Sequence, residues 1–282
     1  MLVSDFNKRK IYVYDLYGKF KRSFEHKSKY MCYNAIFNYN NDNLICYDKY
    51  NNEIAFVLVS KQDGRITKEI KIPFKEKKFL SQIQRISEDN YVIPADIQVP
   101  AGSIITGMGR SQAPSGANRP IIPYNDNWIL LEFSSDTIYT LLPDNSLRPF
   151  IARTPSIHSM DTEIMLILRL ISDRYYFMES IRNEYNYDKN TGFSRDFFMY
   201  DKQERSFSRY TVYNGDYSIK KEIYMVGFTP VNNEIEAWYP IEAYQLVESY
   251  KKGELKEGKL KEIASKLDEE DNPVIMLVKH KK

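Results

Sequence analysis

The stretch Ile11-Tyr-Val-Tyr-Asp-Leu-Tyr-Gly-Lys-Phe-Lys-Arg-Ser-Phe24 decides how the rest of the chain is read. An aromatic and aliphatic run meets a turn holding Asp15 and Gly18, and a second run follows in which basic and apolar residues alternate. Asp and Gly tolerate the positive φ angles of tight hairpin turns, and a period of two marks a strand with one wet face. Alternation puts Phe20, Arg22 and Phe24 on one face and Lys19, Lys21 and Ser23 on the other. Such a strand suits the outer edge of a sheet, where charge discourages edge-to-edge pairing.

The unit recurs three times. Phe56 to Val59 leads through Asp63-Gly64 to Ile66–Ile72, Thr137 to Thr140 through Asp144-Asn145 to Leu147–Phe150, and Phe197 to Tyr200 through 201–204 to Phe207–Tyr210. Upstream of each of these three lies a second strand pair. The pairs are 33–39 with 44–48, 120–124 with 128–133 around Asn125-Asp126, and 164–171 with 175–180 around Ser172-Asp173. Four antiparallel strands per repeat make the blade of a β-propeller, so the expected fold class is all-β, a β-propeller of four-stranded antiparallel blades with short C-terminal helices.

The turn aspartates space the blades. Asp15 to Asp63 is 48 residues and Asp144 to Asp201 is 57, against about 40–50 for one blade. Asp63 to Asp144 is 81, and the excess coincides with a glycine- and proline-rich stretch from Gln98 to Pro120 that reads as a long loop. The expected organisation is one domain over 1–282. It comprises a partial blade at 1–26, a blade at 31–73, a blade at 79–153 with a long loop at 98–119, a blade at 161–212, and a helix-interrupted last blade at 222–282. The chain starts mid-blade on this reading and holds about five blades' worth of a six-bladed type, an open or incompletely closed ring. In the last blade Pro240 stands as the first residue of a helix carrying Ala243, Leu246, Val247 and Tyr250 before Gly253. A second helix carries Leu260, Ile263, Ala264 and Leu267, and Val274–Val278 reads as a buried strand.

Composition narrows function by exclusion. The 23 Tyr and 15 Phe favour strands. Forty basic and 38 acidic residues, well mixed, do not make the electrostatic footprint of a nucleic-acid binder. With a turn centred on Asn40-Asn41, Cys46 falls opposite Ala35 and three residues out of register with Cys32, so two buried thiols are expected rather than a disulfide. No apolar run reaches the length of a membrane span, and charged residues follow Met1 where a signal peptide would be apolar.

The hairpin Ile-Tyr-Val-Tyr-Asp15 with Gly18-Lys-Phe20, the segment Ser134-Ser-Asp-Thr-Ile-Tyr139 and the end Asn272-Pro-Val-Ile-Met-Leu-Val-Lys-His280 resemble the six-bladed β-propeller proteins of gut Bacteroidetes, related to the NHL-repeat propellers. The resemblance implies a propeller in the periplasm or at the outer membrane. Members of that group typically carry a lipoprotein signal and an N-terminal segment, both missing from this sequence. The family supplies no established activity.

Chemistry-bearing motifs are sparse. His26, His158 and His280 are scattered without metal-ligand spacing. Ser134-Ser135-Asp136 is no nucleophile elbow, and Asp136 reads as a turn cap. Gly107-Met-Gly109-Arg110 lacks the strand, helix and Gly-Lys-Ser/Thr of a phosphate loop. Asp42, Asp126, Asp173, Glu184 and Asp188 sit near strand ends, where turns favour such residues. The candidate ligand contacts are Arg110 and Arg119 in the long loop, Arg153 after the third hairpin, and the tyrosines Tyr175 and Tyr185, beside Tyr176 and Tyr187. The expected function is a non-enzymatic binding or scaffold propeller at the bacterial cell envelope, without cofactor, for a glycan, peptide or partner protein. The alternative is a metal-dependent propeller hydrolase or lyase with an axial site.

Overall fold

The computed structural model describes residues 1–5, 7–28, 33–79, 82–86, 89–93, 111–112, 119–184, 193–223, 225 and 237–279. The chain divides into two compact units, Met1–Met165 with Ile181–Ser194, and Leu166–Ser180 with Arg195–Lys282.

In the first unit β1 (Leu2–Asp5), β2 (Lys10–Tyr14) and β3 (Phe20–Glu25) form a three-stranded antiparallel sheet. Next comes a four-stranded meander of β4 (Ala35–Asn38), β5 (Asn43–Tyr47), β6 (Phe56–Ser60) and β7 (Ile66–Ile70). A small sheet of β8 (Gln82–Ile86), β9 (Asp89–Ile93) and β10 (Ser111–Gln112) follows, in the order β10-β8-β9. A second four-stranded meander consists of β11 (Ile121–Tyr124), β12 (Asn127–Leu130), β13 (Thr137–Leu141) and β14 (Leu147–Ala152). A third, β15 (Ile164–Ile171), β16 (Tyr175–Arg182), β17 (Arg195–Asp201) and β18 (Ser206–Arg209), lies mostly in the second unit. The architecture is all-β, built from four-stranded antiparallel sheets of the propeller-blade kind. The 79–153 segment carries two sheets, and only Ser111, Gln112 and Arg119 of the 98–119 stretch fall among the described residues.

Turn chemistry accounts for the hairpins. Asn125 and Asp126 both adopt positive φ, 46° and 57°, the mirror-image turn whose twist matches its flanking strands. Asn145 (φ 63°) and the glycines Gly18 and Gly64 (φ 78° and 76°) fill left-handed positions in the other turns.

Bulges correct the expected faces of the first hairpin. Pairing runs Val13↔Arg22 and then Tyr14↔Phe20, so Lys21 is an extra residue. Phe20 therefore shares a face with Tyr12 and Tyr14, its ring 6.4 and 5.9 Å from theirs, and stays half exposed. Only Arg22 and Phe24 keep the face of Ile11 and Val13. Like bulges make Thr67 and Phe150 extra residues in the hairpins β6–β7 and β13–β14.

Both faces of the β4–β7 sheet are covered. Leu44, Cys46, Val57 and Val59 pack with Ile11 and Phe24 of the first sheet. Ile45, Tyr47, Phe56 and Leu58 pack with Ile121, Leu130 and Leu141. Each such side chain stabilises by about 1.5–3 kcal/mol, and stacking sheets through successive cores is how blades bury what one sheet alone cannot. A second correction concerns Cys46, which lies opposite Ile36 rather than Ala35. The Tyr39 N–H bonds the Asn43 carbonyl, and Asn40 Oδ1 accepts the N–H groups of Asp42 and Asn43, moving the turn half a residue along. Cys46 is a buried free thiol, and Cys32 lies outside the described residues.

The second unit also holds the pair β19 (Val212–Tyr213) with β20 (Glu222–Ile223). Then β21 (Ala237–Ile241) is followed by helices α1 (Ala243–Lys251) and α2 (Lys259–Ala264) and by β22 (Val274–Val278), which pairs with β21. Pro240 is thus a strand residue, and the helix begins only after Glu242; a proline is tolerated in β21 because the strand pairs on one side only among the described strands. Nor is β22 buried throughout: Ile275 and Leu277 are half exposed, while the alternate residues face the cores. Gly253, at φ 69°, closes α1 as expected. No described helix is long and apolar enough to cross a membrane.

Candidate functional site

The hairpin turns β4–β5 and β6–β7 meet the edge strand β3 at one end of the first two sheets, and a recess of about 560 Å³ opens there. Its walls follow from local chemistry. Asn40 shapes the first turn as described, leaving Asn41 and Asp42 exposed and Asn43 partly buried. In the second turn Ser60 Oγ accepts the Gln62 N–H and Asp63 Oδ1 accepts the Arg65 N–H. The Lys61 N–H donates to the Asp42 carbonyl at 2.8 Å, tying the two turns together. Thr67, the bulge residue, sits with its Oγ1 2.8 Å from Asn43 Oδ1.

Arg22, Lys61 and Arg65 supply the charge. Arg22 donates through Nε (3.2 Å) and Nη2 (3.0 Å) to the Lys61 carbonyl. Lys61 Nζ donates in turn to the carbonyls of Asn40 and Asn41. Among the described residues neither has a carboxylate within ion-pairing distance, whereas Arg65 Nε lies 3.6 Å from Asp63 Oδ2. Hydrogen bonds from Ser60 and the Arg65 backbone hold the Asp63 carboxyl below the usual range. Every lining side chain is of a polar type, three cations and the carboxylate of Asp42 with amides and hydroxyls between them. Its volume is that of a small-ligand site.

A second polar cluster, still in the first unit, joins connectors at the ends of sheets. Glu132 is fully buried and meets Lys77 Nζ at 2.8 Å and Ser134 Oγ at 2.8 Å. The ammonium lies 5.7 Å from the Tyr47 ring centre and 5.2 Å from that of Phe74, and burial with Glu132 beside it pushes the Tyr47 phenol well up. The Lys78 N–H donates to Ser134 Oγ (2.7 Å) and Ser28 Oγ donates to Asp48 (2.8 Å). These groups are closed to solvent and fasten connectors. In the second unit Glu179 is likewise buried, with Arg169 Nε at 2.6 Å and Arg195 Nη1 at 3.3 Å.

The residues singled out in the sequence fall elsewhere. Arg153 donates to the Ile164 carbonyl at 2.7 Å and lies 3.8 Å from Asp136. Asp136 accepts from the Ser156 hydroxyl and the Ile157 N–H, capping a 3₁₀ turn at Ile157–Ser159. Tyr175, in the second unit, packs with Phe177 at 5.8 Å beneath the Arg174 guanidinium at 5.0 Å. Arg119 is partly buried just before β11; Arg110 and Tyr185 lie outside the described residues. His26 bonds Ser4 and His158 bonds the Ser134 carbonyl. Among the described residues no three His, Cys, Asp or Glu side chains are grouped to share a metal ion. The recess itself was legible only as two polar turns; nothing in the sequence says that they meet Arg22.

No family description and no curated protein matches this chain. Among solved structures, it is similar to a Bacteroides fragilis protein inferred to be exported, at 14% identity and a TM-score of 0.41, over 100% of this chain and 87% of that one. It is also similar to virginiamycin B lyase from Staphylococcus aureus, at 13% identity and a TM-score of 0.27, over 74% and 69%. By its own sheets the chain is an all-β protein of propeller-blade type.

Proposed function

We propose that this is a non-enzymatic binding propeller of the bacterial cell envelope whose recess at Arg22, Asn43, Gln62 and Arg65 takes a glycan. The observation that carries the reading is the lining: every side chain in it is polar, and its amides, hydroxyls and guanidinium groups match a ligand made of hydroxyls. A peptide or protein partner would bring apolar and aromatic anchors, and the recess offers them no apolar side chain. The envelope location rests on the family resemblance in the sequence, and cell fractionation tests it.

The function is tested by native electrophoresis through gels containing dextran, xylan or polygalacturonate, alongside assays for new reducing or unsaturated ends. At least one polymer is expected to retard the protein, retardation is lost in Gln62→Ala/Arg65→Ala, and no ends are released. Cleavage of any polymer would make the protein an enzyme; unretarded migration in all three gels would remove the glycan reading.

A further inference from the structure

Resting on the reading of the recess as a glycan site, we infer that the saccharide is acidic and that its carboxylate sits between Arg22, Lys61 and Arg65. Arg22 and Lys61 are each positioned by backbone carbonyls, which are neutral. A carbonyl fixes where a cation points but leaves its charge intact, so two oriented positive charges line the recess with no carboxylate in ion-pairing distance among the described residues. A guanidinium has five N–H donors, and the Lys61 carbonyl engages Arg22 through Nε and Nη2 alone. The remaining N–H groups are held in a fixed orientation, the preorganised fork that a carboxylate accepts with two oxygens. Arg65 is the third cation, its side chain 76% exposed and its Nε 3.6 Å from Asp63 Oδ2. Asp42 lines the recess and Asp63 pairs with Arg65, so the three cations exceed the two carboxylates by one charge and the recess is net positive. A neutral sugar needs none of this charge, whereas a uronic acid presents hydroxyls to the amides and one anion to the cations.

The test compares polygalacturonate with its carboxyl-reduced form by titration calorimetry on the full chain, at two salt concentrations. The acidic polymer is expected to bind at least about tenfold more tightly, the effect of losing one charge-assisted hydrogen-bonded contact. The preference should shrink at high salt and fall by about tenfold in Arg65→Gln, by the same reasoning. Lys266→Gln, which removes an equal charge on an exposed position beyond α2, should leave the preference unchanged. Equal binding of the two polymers overturns the acidic inference while the glycan reading stands. Binding of neither polymer, with no retardation in dextran or xylan gels, removes both. Equal losses in Lys266→Gln and Arg65→Gln would show bulk charge at work and would also overturn the inference.

Discussion

Gly64 sits in the β6–β7 turn at φ 76°, and its Cα is pressed against the first sheet. A Cβ built there lies 2.5 Å from Phe24 Cδ2, 3.1 Å from Phe24 Cβ and 3.1 Å from the Glu25 carbonyl oxygen. Gly18 provides the control: its φ is 78°, but a Cβ there meets nothing within 4 Å. Gly18→Ala should therefore pay only for left-handed backbone, about 1–2 kcal/mol. Gly64→Ala pays that and must also displace Phe24, a ring only 7% exposed in the core shared with Val57 and Val59, which overpacking prices at about 1–3 kcal/mol more. The total is about 2–5 kcal/mol. Urea unfolding followed by tryptophan fluorescence and far-UV circular dichroism measures both variants. Repeating Gly64→Ala in a Phe24→Ala background should recover the overpacking part as a coupling energy. If Gly64→Ala proves no worse than Gly18→Ala, or shows no coupling to Phe24, then the turn does not press on the first sheet and the stacking described for these sheets is wrong.

Three other outcomes are expected. Glu132→Ala strands the Lys77 ammonium, whose side chain is only 5% exposed, and should cost about 3–5 kcal/mol in urea unfolding, most of it recovered in Lys77→Met/Glu132→Leu; a loss below about 1 kcal/mol would contradict the buried pair. Burial first, and the nearby Arg9 second, hold the His26 imidazole below its usual 6.5, so the unfolded chain takes up the proton first. Stability from this group is complete above about pH 6.5 and declines as pH falls through the folded-state value; the Tm should drop more on acidification in the wild type than in His26→Gln, and parallel curves would refute it. Burial pushes the Cys46 thiol far up, so peptide mapping should find it unalkylated by iodoacetamide until the protein is denatured, and prompt native labelling would be the contrary result.

Three of the four repeated hairpins were legible because their turns carry residues that tolerate positive φ (Gly18, Gly64 and Asn145), as was the turn at Asn125-Asp126, whereas β17–β18 turns on Arg205 at φ 51° and was legible from its strand pattern. The β8–β9 hairpin was missed, and the 81-residue interval concealed a further sheet. Bulges were invisible because an extra residue is defined by the partner strand, not by its own; Lys21 looks like one more alternating lysine until Val13 and Tyr14 are seen to skip it. Pro240 obeyed a helix-start rule locally but was overruled by pairing with Ile275, 35 residues downstream. The recess was the least legible part. Arg22, Lys61 and Asn41 are ordinary turn and edge residues, and their meaning arises from contacts 20 to 39 residues apart.

The β4–β7 sheet is covered on both sides, and that has a consequence for how its sequence can change. In β5, Leu44 and Cys46 serve one core while Ile45 and Tyr47 serve the other, so no parity of the strand is free to drift. A one-residue slip would not expose apolar side chains, as in a half-wet sheet, but would hand each core the other's set of shapes. Hydrophobicity alone therefore cannot hold this register. Steric fit must do so, with the turn at Asn40 as its anchor, and divergence in β5 and β6 is confined to paired exchanges of volume within each core.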